Sequence, residues 1–430
     1  MNRFVLFTNV ISPHQLPLAK ELAAQVGEEN FRYIYTERAD KDHGGLGWSF
    51  DVPDWCVHAS DTDSDEWLEN ADVLLSGLRC FDLFERRAAK GLTNFYMTER
   101  WFKPPVGIFR LLHPRYFGYA RRLCRLLESG AVTGLPIGIH AARDMARLCG
   151  FVHGKISSLF KAPELDFERK PGGSIWLAQR RRGAEKYCLD KMRMWGYFVK
   201  SSEIAHNSQF ATRNSLKILW VGRLLDWKRV DTIIRAVGEL AVSSRNRRLS
   251  VACDSSEPSR AQASAERLAV SDASTRFYTF CTVNHLHVST RSTRLNISLD
   301  IYGSGPEEAR LKKLAAKYGD IIKFHPPVPI GDVRKLMRAH DVYVLSSNGY
   351  EGWGAVVSEA LEEGMKVLGT YESGACATML PDTNLFHAGD WKRLAKLLTN
   401  EISPVAIGDW TAQSASNYII SEEKKIQQHV

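Results

Sequence analysis

The sequence has little of what marks the specialised classes of protein. No apolar run approaches the roughly 20 residues that a membrane-spanning helix needs. Its 8 cysteines include no CxxC pair, which argues against structural zinc and predicts reduced thiols in a cytoplasmic protein. With 31 Gly and 16 Pro in 430 residues, the composition excludes collagen-like, coiled-coil and wholly disordered chains. What remains is a globular protein long enough for two or three domains.

The chain carries a positive net charge of +8. Such a charge suits three kinds of partner: nucleic acid, an anionic membrane surface, or an anionic small substrate such as a nucleotide. The sequence has no zinc-finger spacing, no RNP-type motif and no bZIP heptads. We therefore expect no nucleic-acid partner.

Two blocks of alternating strand and helix patterns are separated by an irregular middle region. This alternation is typical of βαβ units around a parallel sheet, so we predict an α/β fold of two Rossmann-like, doubly wound domains that face each other across a cleft. The predicted domains are 1–205 and 206–403, the second with a Ser- and Arg-rich insertion at about 242–296. The last segment, 404–430, is predicted to be a helix that returns toward the N-terminal domain.

Polar and glycine residues follow the predicted strands of the second block, where parallel α/β sheets bind ligands. Arg223 and Lys228 lie between the strand at 216–221 and the next helix. Guanidinium, ammonium and helix N-terminus together suit a diphosphate, with solvated surface cations as the alternative. Gly303 follows the next strand, where a missing Cβ lets a ligand or another backbone approach; a simple tight turn is the alternative.

A loop with glycines and carboxylates follows a later strand. Glu351 lies in this loop, and Glu359 lies in the helix that follows. Gly352 and Gly354 leave amide N–H groups free for a phosphate or a sugar hydroxyl, while a carboxylate can accept two hydrogen bonds from a vicinal diol. A nucleotide-sugar offers both groups. The alternative is an exposed loop glutamate and a solvated helix glutamate.

Three motifs of the C-terminal half, taken together, resemble glycosyltransferase family 4 (glycosyltransferases group 1). They are Val-Gly-Arg-Leu at 221–224 with Lys228, Ile-Tyr-Gly-Ser-Gly-Pro at 301–306, and Glu-Gly-Trp-Gly at 351–354 with Glu359. The resemblance implies the GT-B fold, a nucleotide diphosphate sugar as donor, and transfer with retention of anomeric configuration. No metal or other cofactor is expected.

The resemblance also implies roles for individual residues. Arg223 and Lys228 would hold the donor diphosphate, Glu351 the sugar hydroxyls and Glu359 the ribose, while backbone around Val328 would contact the base. Arg223, Lys228 and Glu351 are the candidate catalytic residues. The remaining expected donor-site residues are Gly303, Gly352, Trp353 and Gly354.

The N-terminal half departs from the family pattern. His14 lies where many members have a Gly-Gly pair, and Glu99 and Arg100 lie where many have a His-Asp-like step. These positions would face the acceptor, so we expect all three residues on the acceptor side. A hydrogen-bonded loop histidine is the alternative for His14. His140 is a further candidate for the acceptor side.

A metal signal competes with this interpretation. Asp61, Asp63 and Asp65 have the DxD spacing that single-domain, metal-dependent glycosyltransferases use. The segment also resembles the start of a calcium loop, but Glu66 stands where that loop needs glycine. Since the segment precedes a predicted helix and lies far in sequence from the donor motifs, we predict a solvated capping loop and no metal site.

Residues 104–128 mix large apolar side chains with five arginines. A basic amphipathic segment of this kind can lie in an anionic headgroup layer. The alternative is a helix packed on its own domain with its arginines in water. Pro114 is expected to break the segment into two pieces. The membrane interpretation places the protein peripherally on the inner face of the membrane, with a lipid-linked acceptor.

The predicted activity is transfer of a hexosyl or related sugar to a hydroxyl acceptor, in the synthesis of a cell-surface polysaccharide or glycolipid. Two alternatives stay open. A nucleotide-sugar epimerase on the same architecture would turn over donor without acceptor. A catalytically inactive basic binding protein would tolerate Glu351→Ala and Lys228→Ala.

Overall fold

Two parallel sheets, each wrapped by helices, form the protein. The computed structural model describes residues 2–12, 14–37, 51–160, 166–169, 175–178, 193–194, 215–254, 296–400, 402–405 and 412–428. The predicted domain boundary at 205 and residues 255–295 of the predicted insertion lie outside the described residues.

The N-terminal sheet is fully parallel. Its strands are β1 (Phe4–Thr8), β2 (Phe31–Tyr35), β3 (Cys56–His58), β4 (Val73–Ser76), β5 (Thr93–Thr98) and β6 (Thr133–Pro136). They lie in the order β3-β2-β1-β4-β5-β6, with Phe4 opposite both Phe31 and Val73. Every residue of β1, β4 and β5 is buried because helices cover both faces of the sheet.

Six described helices belong to this half of the chain. They are α1 (Leu16–Val26), α2 (Ser64–Asn70), α3 (Phe81–Ala89), α4 (Pro114–Glu128), α5 (Gly138–Val152) and α6 (Ser157–Phe160). α1 turns Leu18, Leu22 and Val26 into the core at i, i+4 and i+8 spacing. A short antiparallel sheet follows, made of β7 (Asp166–Arg169), β8 (Ile175–Ala178) and β9 (Arg193–Met194).

The C-terminal sheet repeats the same topology. Its strands are β10 (Ser215–Val221), β11 (Asn296–Tyr302), β12 (Ile322–His325), β13 (Val342–Leu345), β14 (Lys366–Thr370) and β15 (Leu385–Phe386). They are all parallel, in the order β12-β11-β10-β13-β14-β15. In each sheet the strand order reverses beside the first strand, between β1 and β4 or between β10 and β13.

The helices of the second half begin with a long one. They are α7 (Val230–Asp254), α8 (Glu308–Ala315), α9 (Ile330–Ala339), α10 (Val356–Glu362), α11 (Gly374–Met379), α12 (Trp391–Thr399) and α13 (Ala412–Gln427). The sequence pattern ends α7 at Leu240, whereas the helix continues into the predicted insertion. The final helix, α13, packs on α1, with Gln25 Nε2 donating to Asn417 Oδ1 at 2.9 Å.

Side chains from both halves share one apolar core. It includes Leu6 and Leu22 of the N-terminal half, Trp353 and Val357 of the C-terminal half, and Ile419 of α13. The two sheets are therefore packed against each other and not merely linked by the chain.

The cysteines only partly follow the sequence-based prediction. Cys56, Cys80, Cys124 and Cys376 are free thiols. Cys149 is disulfide-bonded, so the prediction that every cysteine is reduced is wrong at that position.

Candidate functional site

The candidate site lies where loops at the carboxyl ends of the two sheets meet. In sheets with this strand order, ligands bind beside the point where the order reverses. The loops after β1, β5, β10 and β13 reach that point in this protein. They carry most of the residues that the sequence singles out.

Lys228 and Glu351 form an ion pair at the centre of the C-terminal half of the site. Lys228 ends a short 3-10 turn after β10, and its Nζ donates to Glu351 Oε2 at 2.5 Å. The Ser347 hydroxyl donates to the same oxygen at 2.7 Å. The two charged side chains are only 17% and 12% exposed. The structure thus brings together two of the three predicted catalytic residues.

Further contacts fix the two loops that carry this pair. The Ser346 hydroxyl donates to the Lys228 carbonyl at 2.7 Å, and the Asn348 amide donates to the Trp227 carbonyl at 2.9 Å. The Trp227 and Tyr350 rings stack with centroids 6.1 Å apart. The position of the Lys228–Glu351 pair is therefore set by backbone as well as side-chain contacts.

Arg223 lies on the same side of the sheet, directly after β10. Its side chain is exposed and makes no hydrogen bond or ion pair with any residue that the structure describes. Its guanidinium is therefore available to an anion approaching the loop.

Gly303 has a packing role that the sequence left open. Its φ is +146°, and an added Cβ would lie 1.8 Å from the Gly222 carbonyl oxygen. The adjacent Leu224 amide donates to the Ser304 carbonyl at 2.9 Å. The missing Cβ thus admits another backbone segment, and contact of Gly303 with a donor stays a prediction.

The loop of Gly352, Trp353 and Gly354 lies against the N-terminal half. An added Cβ at Gly352 would lie 2.2 Å from the Glu99 carboxylate, and one at Gly138 would lie 2.6 Å from the Trp353 ring. The Trp353 side chain is 2% exposed. Its indole therefore packs between the two halves, so only the main chain at Trp353 can face a donor. Gly354 has a φ of +87°, which favours glycine.

Glu359 meets His14 across the cleft. Glu359 lies in the first turn of α10, and its Oε1 is 3.2 Å from His14 Nδ1. This contact joins a predicted donor residue to a predicted acceptor-side residue, so the two predicted subsites adjoin each other.

Glu99 and Arg100 follow β5 and face the loop after β13. Lys103 Nζ donates to Glu99 Oε2 at 2.6 Å, and Arg100 Nη1 donates to the Gly349 carbonyl at 3.5 Å. Arg100 Nε is 3.7 Å from Asp144 Oδ2. Both predicted residues therefore line the cleft.

His140 lies in the first turn of α5 and also reaches the other half. Its Nε2 donates to the Tyr371 carbonyl at 2.6 Å, which leaves Nδ1 as a hydrogen-bond acceptor. Burial is the main cause that lowers the pKa of His140 to about 4, and the positive charge of Arg100 is the next. The imidazole is therefore neutral at physiological pH.

Sequence reasoning missed Asp144 and the two arginines beside it on α5, Arg143 and Arg147. Their spacing from His140, at i+3, i+4 and i+7, was a signal that could have found them, because such positions share one face of a helix.

One family model matches part of the C-terminal half of the chain. Residues 282–403 match the family model for glycosyl transferases group 1. The matched segment contains Glu351 and Glu359 but begins after Arg223 and Lys228. No curated protein matches the sequence significantly.

Solved structures show the same fold over nearly the whole chain. The lipopolysaccharide outer core galactosyltransferase WaaB has a TM-score of 0.52 at 11% identity, with 98% of this chain and 99% of that chain covered. A structure described as trehalose-6-phosphate from E. coli bound with UDP-2-fluoro glucose has a TM-score of 0.53 at 11% identity, with the same coverage, 98% and 99%. A trehalose-6-phosphate synthase structure reaches 0.52 at 12% identity, again covering 98% and 99%. The predicted α/β fold of two Rossmann-like domains is confirmed.

Val328 and the DxD segment are the two predicted features not yet located. Val328, after β12, is half-buried against the shared core.

In the DxD segment, Asp61 Oδ2 accepts a hydrogen bond from the His58 amide at 2.9 Å, while Asp63 is the N-cap residue of α2 and its side chain makes no capping hydrogen bond. Within the residues that the structure describes, no group of three or more His, Cys, Asp or Glu could hold a metal ion.

The segment 104–128 forms a 3-10 helix (Gly107–Leu112) and α4, separated at Pro114 as predicted. α4 buries Leu123, Leu127 and neighbouring residues in its own domain. Other large apolar side chains of the segment are exposed: Val106 by 45%, Phe109 by 64%, Leu112 by 80% and Phe117 by 39%. Among the described helices, none is long and apolar enough to cross a membrane.

Proposed function

We propose that this protein is a glycosyltransferase that moves a sugar from a nucleoside diphosphate sugar to a hydroxyl acceptor. The observation that carries the proposal is the Lys228–Glu351 pair at the carboxyl edge of a doubly wound sheet, with Arg223 in the same loop as Lys228 and without a side-chain partner among the described residues. The group 1 family match over 282–403 supports it.

Each donor-site residue has a role in this proposal. Arg223 and Lys228 bind the diphosphate, the Glu351 carboxylate accepts hydrogen bonds from sugar hydroxyls, and Glu359 binds the ribose. Main chain near Val328 contacts the base. No metal is required, because two cations and the N-terminus of α7 supply positive potential to the leaving diphosphate.

The transfer retains anomeric configuration. The acceptor oxygen attacks the anomeric carbon on the face from which the diphosphate departs. The bond from the anomeric carbon to the phosphate oxygen breaks, and that phosphate oxygen takes the proton of the acceptor hydroxyl. No protein base is then needed, and Glu351 stays a ligand of the sugar and not a nucleophile.

In this proposal the chain is divided into an acceptor-side domain, a donor-side domain and a returning C-terminal segment. Residues 1–205 form the acceptor-side domain, 206–403 the donor-side domain, and 404–430 return to the first domain. The apolar side chains exposed at 106–117 and the arginines of α4 bind an anionic membrane surface peripherally on its cytoplasmic face. The acceptor is an intermediate of polysaccharide or glycolipid synthesis.

Turnover of nucleotide-sugars tests the proposal. Purified protein is incubated in EDTA with UDP-, GDP- and ADP-hexoses, and release of the nucleoside diphosphate is measured with an extract of candidate acceptors. Acceptor-dependent release by the wild type, lost in Glu351→Gln, is expected. Conversion of the sugar without release would support an epimerase. No conversion of any donor would contradict the proposal.

A further inference from the structure

A cluster of cations lies on one face of α5, outside the donor site. His140, Arg143, Asp144 and Arg147 have i, i+3, i+4 and i+7 spacing, so their side chains leave the helix on one side. Arg100 approaches the same face from the loop after β5.

The charges of this cluster do not balance. Arg100 and Arg147 each lie 3.7 Å from the carboxylate of Asp144, which is the acidic group between them. The Asp144 carboxylate also accepts a hydrogen bond from the Phe102 amide at 3.0 Å, so the arginines share its oxygens with the backbone. The Arg143 side chain is exposed and makes no hydrogen bond or ion pair with any described residue. Arg100 and Arg147 thus share one carboxylate, and Arg143 adds a third guanidinium on the same face of the helix.

The guanidinium groups also retain free donors. The Nε atoms of Arg100 and Arg147 are buried and make no hydrogen bond within the described part of the chain. The neutral His140 adds no charge. Burial first, and then the positive charges of Arg100, Arg143 and Arg147, lower its pKa, so all three guanidinium groups lie near this side chain. An anion bound beside these arginines would accept hydrogen bonds from the free N–H groups and would offset the repulsion among the positive charges.

We propose that this cluster binds a phosphate group carried by the acceptor. This inference rests on the proposed function, because it makes the cleft face of the N-terminal half the acceptor subsite. The planar, forked guanidinium suits phosphate oxygens better than a point charge does. The donor diphosphate has its own cations, Arg223 and Lys228, on the opposite sheet.

The test isolates the cluster from the donor site. In an Arg223→Gln/Lys228→Met background, inorganic phosphate is titrated by calorimetry at constant ionic strength. We expect binding that weakens about tenfold or more when Arg143→Gln and Arg147→Gln are added, since charge-assisted hydrogen bonds are lost. Arg235→Gln, an exposed arginine on α7, is the matched control and should leave binding unchanged. Equal phosphate binding with and without the α5 arginines would overturn the proposal.

Competition then identifies the source of the phosphate. Displacement of inorganic phosphate by glucose 6-phosphate, but not by glucose, supports a soluble phosphorylated acceptor. Displacement by monomeric short-chain phosphatidic acid supports a lipid phosphate. Displacement by neither overturns the proposal, because the site would then take only a free inorganic anion. If the Arg223→Gln/Lys228→Met variant binds phosphate but the wild type, with both donor-site cations in place, transfers no sugar, the proposed function is contradicted and the anion site stands.

Discussion

The Lys228–Glu351 ion pair joins two loops that are far apart in sequence. Both side chains are largely shielded from water, so each charge depends on the other for compensation. By contrast, the helix pair Lys312–Glu308 is 54% and 37% exposed and is screened by solvent. The two pairs allow a matched comparison.

A double-mutant cycle on Lys228→Met and Glu351→Gln tests this coupling. Urea unfolding should give a coupling free energy of about 1–3 kcal/mol, because each single change leaves one shielded charge unpaired. The same cycle on Lys312 and Glu308 should give about 0.2–1 kcal/mol. Equal values for both pairs would show that the loops do not hold the site pair as described.

His140 makes stability depend on pH. Its native pKa of about 4 lies below the ordinary value of about 6.5, so the unfolded chain takes up a proton before the native protein does. Stability present above pH 6.5 is therefore lost as the pH falls toward 4. Between pH 7.5 and pH 5, the wild type should lose about 1–2 kcal/mol more than His140→Gln.

The measurement is the free energy of unfolding in urea at the two pH values. His387→Gln, at a side chain 73% exposed, is the control and should follow the wild type. A wild type and His140→Gln with the same pH dependence would contradict the buried, neutral state of His140.

Most residues of the candidate site could be found from sequence because they directly follow apolar strands. Arg223, Lys228 and Glu351 were found in this way. The contact of His14 with Glu359 could not be found, because it joins residues of different domains. Asp144 was overlooked because its spacing from His140 places it on a helix face without pointing to a particular chemistry.

The turn after β11 depends on glycine at position 303. A side chain there would meet the Gly222 carbonyl, whereas Gly319, with a φ of +75°, has no atom within 4 Å of an added Cβ. Gly303→Ala should therefore lower the free energy of unfolding by about 2 kcal/mol or more, and Gly319→Ala by about 1 kcal/mol from backbone strain alone. Thermal and urea unfolding of both variants check this. A Gly303→Ala variant no less stable than Gly319→Ala would disprove the close approach.

The 3-10 helix Gly107–Leu112 tests membrane association. Phe109→Ser with Leu112→Ser removes two exposed apolar side chains, so binding to vesicles of phosphatidylglycerol and phosphatidylcholine should weaken at least about tenfold. Folding should not change, since neither side chain is buried. Val52→Ser, 51% exposed elsewhere, is the control. If the double change leaves vesicle binding unaffected, the proposed contact of this segment with a membrane is contradicted.

Elements with strong periodicity could be predicted closely, and short ones could not. The apolar spacing predicts a strand at 4–8 and helices at 16–26 and 391–399, and β1, α1 and α12 have these bounds. β3 and β15 were missed because three or two residues carry no period. The sequence predicts too early an end for α7, because the regular apolar spacing stops at Leu240 while the backbone remains helical.

The two halves of the molecule form a single packed unit around the cleft. Ile139 N–H donates to Thr378 Oγ1 at 3.0 Å, and the Trp353 indole lies against Gly138. The duplicated strand order could be expected from two βαβ blocks, but this packing could not, since it depends on contacts between residues far apart in sequence. The cleft places the predicted donor residues and the α5 cluster on facing surfaces.

The measurement that tests the central claim most directly is nucleotide binding in EDTA. The melting temperatures of wild type and Glu359→Ala are compared with UDP, GDP, ADP and their hexose derivatives, with exposed Glu308→Ala as the control. Nucleotides with one base should raise the melting temperatures of the wild type and of the control. At a concentration of 100 times Kd, the ligand adds about 2.7 kcal/mol to the free energy of unfolding. The melting temperature of Glu359→Ala should rise much less. No shift with any nucleotide, or a shift that needs added divalent metal, would contradict the donor site proposed here.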